Sequence, residues 1–140
     1  AGVRCSMTHL LDTSAWLAHL FGESGVEEIN LIFADPQNEV FVSALCLLEV
    51  YGRLRSLDKQ EMFPQTQATY AALFSKVLPV DESVAQTAID LRTNTQTRLP
   101  TIDALIAATA VVHKLTLVHR DPHLAAITSS RLRQMRLPDK

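Results

Sequence analysis

Four acidic residues stand where a solvated surface charge is not expected. Asp12 ends a short apolar segment, and Asp121 follows another in the run HRDP. Glu49 lies inside the otherwise apolar run ALCLLEVY, and Asp103 comes shortly after Pro100, ahead of the run ALIAA. Because an unpaired buried carboxylate is costly, each of these groups must be protonated, paired, or bound to a cation.

Acids that converge on one cleft would favour metal-assisted hydrolysis. Two carboxylates about 6 Å apart repel by roughly 2.8 kcal/mol at an effective dielectric constant of 20, a cost that divalent cations relieve. Oxygen ligands select the hard ions Mg²⁺ or Mn²⁺, which retain waters and bind phosphate oxygens. The matching chemistry is hydrolysis of a phosphodiester, in which one metal activates a water and a second stabilises the leaving oxygen.

Each acid also has an ordinary structural explanation. Asp12 can cap the helix that follows it. Glu49 can pair with Arg53, one helical turn further on. Asp103 suits the first turn of a helix through the helix dipole, and the Asp-Pro pair at Asp121 is a common turn initiator.

The elements that must position these acids alternate between strands and helices. Apolar and β-branched segments predict strands at residues 9–12, 40–42, 77–80 and 116–118, and a weaker one at 133–137. This alternation predicts an α/β fold, a three-layer α/β/α sandwich around a mainly parallel sheet of about five strands. Ligands of such sheets collect at the carboxyl ends of the strands, where all four acids can meet.

Helical periodicity fills the segments between the strands. Ser43 and Asp81 are the expected N-caps of helices that run to about residue 57 and over residues 82–98. Residues 103–115 are apolar nearly all round, so we expect this helix to be central. Further helices are expected around residues 16–21, 26–33 and 64–75.

Length and composition fit one ordinary globular domain. The chain has 140 residues, 47% of them hydrophobic and 20% charged, which excludes disordered and collagen-like chains. We expect residues 7–140 to form the domain, and residues 1–6 to be a disordered extension or a cloning remnant. Two cysteines are too few for a disulfide framework, and no secretory signal or bilayer-spanning run is evident, so the predicted location is the cytoplasm.

Four runs, in this order and spacing, resemble the PIN domain. They are LLDTS around Asp12, the lone Glu49 in an apolar third helix, LPTIDALIAATA around Asp103, and LVHRD ending at Asp121. The run around Asp103 is the most specific of them, and the resemblance spans residues 7–138. More narrowly, the chain resembles the VapC-type ribonuclease toxins of bacterial and archaeal toxin–antitoxin pairs.

This resemblance implies an endoribonuclease that depends on Mg²⁺ or Mn²⁺ and hydrolyses RNA. It also implies a homodimer, and a cognate antitoxin that inhibits the enzyme by threading a segment over the site. The catalytic, metal-binding acidic quartet would be Asp12, Glu49, Asp103 and Asp121. Thr13 or Ser14 would supply a supporting hydroxyl near the metal, and His119 stands where many relatives have Thr or Ser.

Charge is distributed unevenly along the chain, whose net charge is −2. From residue 92 onward there are eight basic residues against three acidic ones, and before it five against twelve. A local basic surface is therefore possible beside an acidic one. Arg98 and Arg120 are candidates to hold RNA phosphates near the cleft, although Arg98 can equally end its helix.

Three rival interpretations remain at this point. His119 and His123 are spaced like zinc ligands, but Pro122 interrupts the helix that would align them and no third ligand lies nearby. A receiver-like domain would use Asp12 as a phosphoryl acceptor, yet it needs further adjacent acids and a lysine that ends a late strand. A catalytically silent binding module would keep the fold alone, and the intact acidic quartet argues against it.

Overall fold

Five strands lie side by side in one fully parallel sheet, in the order β3-β2-β1-β4-β5. The computed structural model describes residues 7–139, so the extension predicted for residues 1–6 lies outside the described residues. The strands are β1 (Thr8–Leu11), β2 (Glu39–Ser43), β3 (Lys76–Leu78), β4 (Thr116–His119) and β5 (Arg133–Arg136).

Seven α-helices connect the strands in this part of the chain. They are α1 (Thr13–Phe21), α2 (Val26–Ala34), α3 (Ala44–Ser56), α4 (Phe63–Ala71), α5 (Glu82–Asn94), α6 (Thr101–His113) and α7 (Pro122–Ala125), with a 3₁₀ turn at Gln60–Met62. No helix within residues 7–139 combines the length and the apolar character needed to cross a membrane.

The direction of chain travel reverses at β1, the central strand. From β1 the chain moves outward through β2 to β3, then crosses to the other side and adds β4 and β5. Right-handed crossovers therefore place α1 to α4 over one face of the sheet and α5 to α7 over the other. The point between β1 and β4 is the switch point at which open α/β sheets bind their ligands.

The core lies on both faces of the central strands. Leu10 and Leu11 of β1 and Leu117 and Val118 of β4 are fully buried. Nearly every residue of α6 from Ala104 to Val111 is buried as well, which confirms that this helix is central. Two neighbouring strands and the helix before β4 are therefore held rigidly by apolar packing, and they carry three of the four acids.

The predicted α/β sandwich is confirmed, and so are the caps at Ser43 and Asp81. Their side chains accept hydrogen bonds from the backbone N–H groups of Leu45 and Val84, at 3.1 and 3.0 Å. The strand predicted at residues 77–80 is observed as β3, which ends before Pro79 and lies at an edge, since it pairs only with β2 in the described sheet.

Two predicted helices end earlier than expected. Helix α5 ends at Asn94 rather than at residue 98, because Thr93, Asn94 and Thr95 turn their side chains back onto carbonyl groups four residues earlier. Helix α4 ends at Ala71 rather than near residue 75. The short helix α7 was not predicted, and Pro122 begins it instead of interrupting a helix, since its missing N–H costs nothing in a first turn.

The turn between α1 and α2 is fastened to the loop after β4. Arg120 forms an ion pair with Glu23 at 2.8 Å and donates a hydrogen bond to the Ser24 carbonyl at 2.9 Å. Gly25, with φ of 100°, then begins α2, and a Cβ atom there would lie 3.1 Å from Leu137. Position 25 therefore requires glycine, because its backbone angle is unfavourable for other residues and Leu137 leaves no room for a Cβ atom.

Gly25→Ala is expected to lower the free energy of unfolding by about 2–3 kcal/mol, from backbone strain and from contact with Leu137. Gly22→Ala is the matched control, because Gly22 also has a positive φ but a Cβ atom added there would meet no other atom within 4 Å. That control should cost about 1 kcal/mol. Urea denaturation of both variants tests the difference, and equal losses would contradict it.

Candidate metal centre

The structure brings the four predicted acids to the switch point of the sheet. Asp12 directly follows β1, and its backbone N–H donates to the Val118 carbonyl of β4 at 3.1 Å, so Asp121 lies just beyond the adjacent strand end. Asp103 lies in the first turn of α6 and Glu49 in the second turn of α3. The charges of these acids act on one another, as the pKa values below show.

Asp12 is the most deeply buried of the four, with 3% of its surface exposed. Its Oδ1 accepts hydrogen bonds from the Ala15 N–H at 2.8 Å and from the Ser14 hydroxyl at 2.7 Å, so it does cap α1 as the ordinary explanation proposed. Burial, together with the charges of Asp121 and Asp103, nevertheless raises the pKa of Asp12 to about 7. The cap and the acidic cluster use the same carboxylate.

Asp103 is half-buried beside two other acids. Burial and the charges of Asp121 and Glu49 raise its pKa to about 6, while the nearby His123 opposes that rise. The helix dipole favours a negative charge in the first turn of α6, but Pro100 precedes it without any side-chain cap. Repulsion from the neighbouring acids therefore adds to the free-energy cost of burying the charged Asp103 carboxylate. A carboxylate that served only to favour the start of the helix would not need acidic neighbours.

Glu49 is held by a hydroxyl rather than by the partner expected from its own helix. The Thr13 Oγ1 donates to its Oε1 at 2.5 Å, whereas no ion pair joins Glu49 to the exposed Arg53 within residues 7–139. Although the run around Glu49 is apolar, α3 is not enclosed on every side, because Leu48, the neighbour of Glu49, is 71% exposed. Glu49 itself is half-buried at the boundary between that open face and the core.

Ser14 connects two of the segments that carry acids. Its hydroxyl donates to the Asp12 carboxylate and accepts the backbone N–H of Arg120 at 2.9 Å. The loop after β4, which leads to Asp121, is thereby fastened to the first turn of α1. Both hydroxyls singled out in the sequence therefore have contacts, Thr13 with Glu49 and Ser14 with Asp12.

His119 supports the backbone of Asp121 from the interior of the sheet. The imidazole Nδ1 accepts the Asp121 N–H at 3.1 Å, so its Nε2 carries the proton and donates to the Gln134 Oε1 at 2.8 Å. Burial lowers the pKa of His119, which is consistent with this neutral form. An imidazole therefore fixes the backbone at Asp121 in this chain.

His123 is the one member of the cluster that the sequence analysis did not place there. Its ligand atom and those of Asp103 and Asp121 all lie within 4.8 Å of one another. The run DPH is the local sequence feature that indicates this position. Pro122 begins α7 and Asp121 caps it, so His123 in the first turn lies beside the capping aspartate.

The two arginines suggested for phosphate binding have different surroundings. Arg120 is used within the protein: its side chain is 8% exposed and its guanidinium is paired with Glu23, which argues against the predicted phosphate contact. Arg98 is exposed in the loop between α5 and α6, four residues beyond the end of α5. The alternative in which Arg98 ends its helix is therefore wrong.

These residues fit a hard divalent cation. The cluster provides carboxylate oxygens and one imidazole nitrogen close together, and the pKa values of Asp12 and Asp103 are raised by burial and by the charges of neighbouring acids. A bound cation would remove that repulsion and favour the ionised carboxylates. Asp103 and Asp121 would hold such an ion, and the charges of Asp12 and Glu49 belong to the same cluster, since Asp103 acts on the pKa of Asp12 and Glu49 acts on that of Asp103.

A family model for the PIN domain matches residues 9–129, a span that includes all four acids. The chain belongs to the PIN domain family. Family membership confirms the resemblance drawn from the four runs and supports the coarse prediction of a nuclease among the hydrolases. No curated protein matches the sequence significantly.

Solved structures with this fold include a member of the VapBC family of toxin–antitoxin systems from Mycobacterium tuberculosis, which aligns with a TM-score of 0.68 at 22% identity, over 92% of this chain and 98% of the other. VapBC2 from Rickettsia felis, bound to a promoter DNA fragment, aligns with a TM-score of 0.76 at 18% identity, over 94% of this chain and 100% of the other. FitAcB from Neisseria gonorrhoeae gives 0.71 at 24% identity, over 92% and 96%. DNA-bound VapBC from Salmonella typhimurium gives 0.72 at 20% identity, over 93% and 98%.

The raised pKa values predict that the metal-free protein loses stability as the pH rises. In the folded state Asp103 and Asp12 keep their protons up to about pH 6 and 7, whereas in the unfolded chain both groups release them near pH 4. The protonated carboxyl groups therefore favour the folded state at low pH. This stabilisation is lost as the pH rises from about 4 through the folded-state pKa of each group. Asp103→Asn cannot ionise and relieves the repulsion. In chelator, its Tm should exceed that of the wild type at pH 8, and the difference should shrink towards pH 5.

Thermal melts of both proteins across this range measure the effect. His9 and His119, whose pKa values are lowered, titrate in both proteins and so cancel in the difference. Parallel Tm curves would show that Asp103 is not part of a repelling cluster.

Proposed function

We propose that this chain is a VapC-type endoribonuclease toxin that cleaves RNA with Mg²⁺ or Mn²⁺ and is inhibited by a cognate antitoxin. The observation that carries the proposal is the convergence of four carboxylates at the switch point of a PIN-type sheet. The likeness to the VapBC structures supports an antitoxin as the partner class, since VapBC is a family of toxin–antitoxin systems.

A divalent ion bound here would lower the pKa of an attacking water and neutralise charge on the scissile phosphate. Asp103 and Asp121 carry the oxygens that hold the ion at the mouth of the site. Asp12 contributes its charge from beneath them, because the Ser14 and Ala15 hydrogen bonds fix its carboxylate in place. The divalent ion would favour the ionised carboxylates of Asp103, Asp121 and Asp12.

Glu49 would orient the attacking water. The Thr13 hydroxyl occupies its Oε1, which leaves the other carboxylate oxygen available to accept a hydrogen bond. A water held there is oriented before the reaction begins, and such positioning supplies a large share of the rate gain in phosphoryl chemistry.

Exposed residues support surfaces for a substrate and for protein partners. Arg98 is the predicted arginine that stays free to meet a phosphate, since Arg120 is paired with Glu23. Leu31 and Leu48 are the most exposed large hydrophobic residues of the described chain, at 72% and 71%. Apolar exposure of this kind suits protein partners, so it supports the antitoxin and the homodimer that the family implies.

The receiver-like alternative fits the structure poorly. A phosphoryl acceptor must present a carboxylate oxygen to an incoming phosphate, whereas Asp12 is 3% exposed and both of its oxygens lie within hydrogen-bond distance of Ser14. The silent binding module is separated from the nuclease by the cleavage experiment below.

Asp103→Asn should keep the fold but lower the rate of RNA cleavage at least about 100-fold, because a ligand charge is lost while the side-chain shape is kept. Asp90→Asn is the matched control, since Asp90 is an exposed aspartate of α5. Purified proteins are incubated with total RNA and Mn²⁺, and the cleaved ends are mapped.

Chelation and thermal melts complete this experiment. Excess chelator should abolish cleavage by the wild type, and Mn²⁺ should raise the Tm of the wild type more than that of Asp103→Asn. Cleavage that persists in chelator would refute the metal mechanism. An Asp103→Asn protein that is unfolded would make the residue structural, and an inactive wild type would favour the silent module.

Thr13→Val should reduce cleavage by about tenfold, because it removes the hydroxyl that holds Glu49 but leaves every carboxylate in place. Thr13→Ser is the rescue variant, since it restores a hydroxyl at the same atom position. The rates of all three proteins are compared at saturating Mn²⁺. A fully active Thr13→Val would mean that the Thr13–Glu49 hydrogen bond has no role in positioning.

A further inference from the structure

The histidine pair that resembled a zinc site is divided between two environments. His119 is fully buried in β4 and bonded to Gln134, so it has no ring nitrogen left for a metal. His123 lies outside the sheet in the first turn of α7, beside Asp103 and Asp121. The proposed function above makes no use of His123.

The backbone around His123 fixes where its ring can lie. Asp121 caps α7, and its Oδ1 accepts the backbone N–H of His123 at 2.8 Å. The ring Nδ1 lies 3.3 Å from that same oxygen, and the side chain is 58% exposed. A short capped turn, with Pro122 between the two residues, therefore places a partly exposed imidazole beside the carboxylate.

The distances are compatible with ligation of a single ion. Ligand atoms on opposite sides of a transition-metal ion lie about 4–4.4 Å apart. The candidate ligand atoms of Asp103, Asp121 and His123 already lie within 4.8 Å of one another, so small side-chain movements bring them to that range. Solvent access to His123 leaves room for the ring to make this adjustment.

We propose that His123 is a third ligand of the ion held by Asp103 and Asp121, and that its nitrogen makes this centre prefer Mn²⁺ to Mg²⁺. The inference rests on the proposed function, because it concerns the same ion. Mg²⁺ binds oxygen ligands and gives up its waters reluctantly, whereas imidazole suits transition-metal ions. Carboxylates alone would discriminate little between the two ions.

The test measures metal binding directly rather than activity. Mn²⁺ is titrated into the wild type, His123→Ala and His113→Ala, and free Mn²⁺ is counted from its EPR signal; Mg²⁺ affinity is obtained by competition. His113 is the matched control, being an exposed histidine in the last turn of α6, at the end opposite Asp103. Metal-free melts check that both variants are folded.

His123→Ala should weaken Mn²⁺ binding by about tenfold and change Mg²⁺ binding by less than about twofold, while His113→Ala changes neither. Pulsed EPR of bound Mn²⁺ should show coupling to a directly bound nitrogen in the wild type and in His113→Ala, and none in His123→Ala. Equal Mn²⁺ affinities, or no nitrogen coupling in the wild type, would overturn the inference.

These measurements distinguish the role of His123 as a ligand from the metal-dependent nuclease activity. A wild type that binds Mn²⁺ and cleaves RNA without nitrogen coupling refutes the role of His123 and leaves the nuclease proposal standing. A wild type that binds neither ion refutes the metal-dependent nuclease, and the ligand proposal with it.

Discussion

Repulsion between carboxylates at one end of the sheet is the constraint on which the site depends. The fold buries Asp12 almost completely and Asp103 by half, and it brings the charge of Asp121 near both, so the pKa values of Asp12 and Asp103 are raised. Such an arrangement is stable only because the surrounding core is rigid and the acids have fixed partners. Stored repulsion of this kind is what a divalent cation relieves on binding.

The first turn of α1 holds much of this arrangement together. Thr13 reaches Glu49 of α3, and Ser14 joins the Asp12 carboxylate to the backbone after β4. In β4, His119 accepts a hydrogen bond from the backbone N–H of Asp121. Three of the four acids, Glu49, Asp12 and Asp121, are thus positioned by a short polar contact in addition to their own helix or strand, and positioning of this kind is what preorganised catalysis requires.

Much of the fold and the candidate site could be predicted because the signals are local. Short β-branched strands, the caps at Ser43 and Asp81, and acids next to apolar runs are all visible without tertiary contacts. Parallel strands then bring their carboxyl ends to one edge whatever the details of packing. The early end of α5 was missed because side-chain hydrogen bonds to the preceding turn outweighed helical periodicity there.

The amino-acid sequence by itself determined which elements form and which four carboxylates can meet, since periodicity, capping and burial cost act over a few residues. Only the tertiary structure decided how the remaining charges and rings are used. Arg120 pairs with Glu23, 97 residues away, and is thereby removed from the phosphate-binding candidates. His119 and His123, four positions apart, face the core and the acids respectively, because the strand ends between them and the capped turn of α7 redirects the chain.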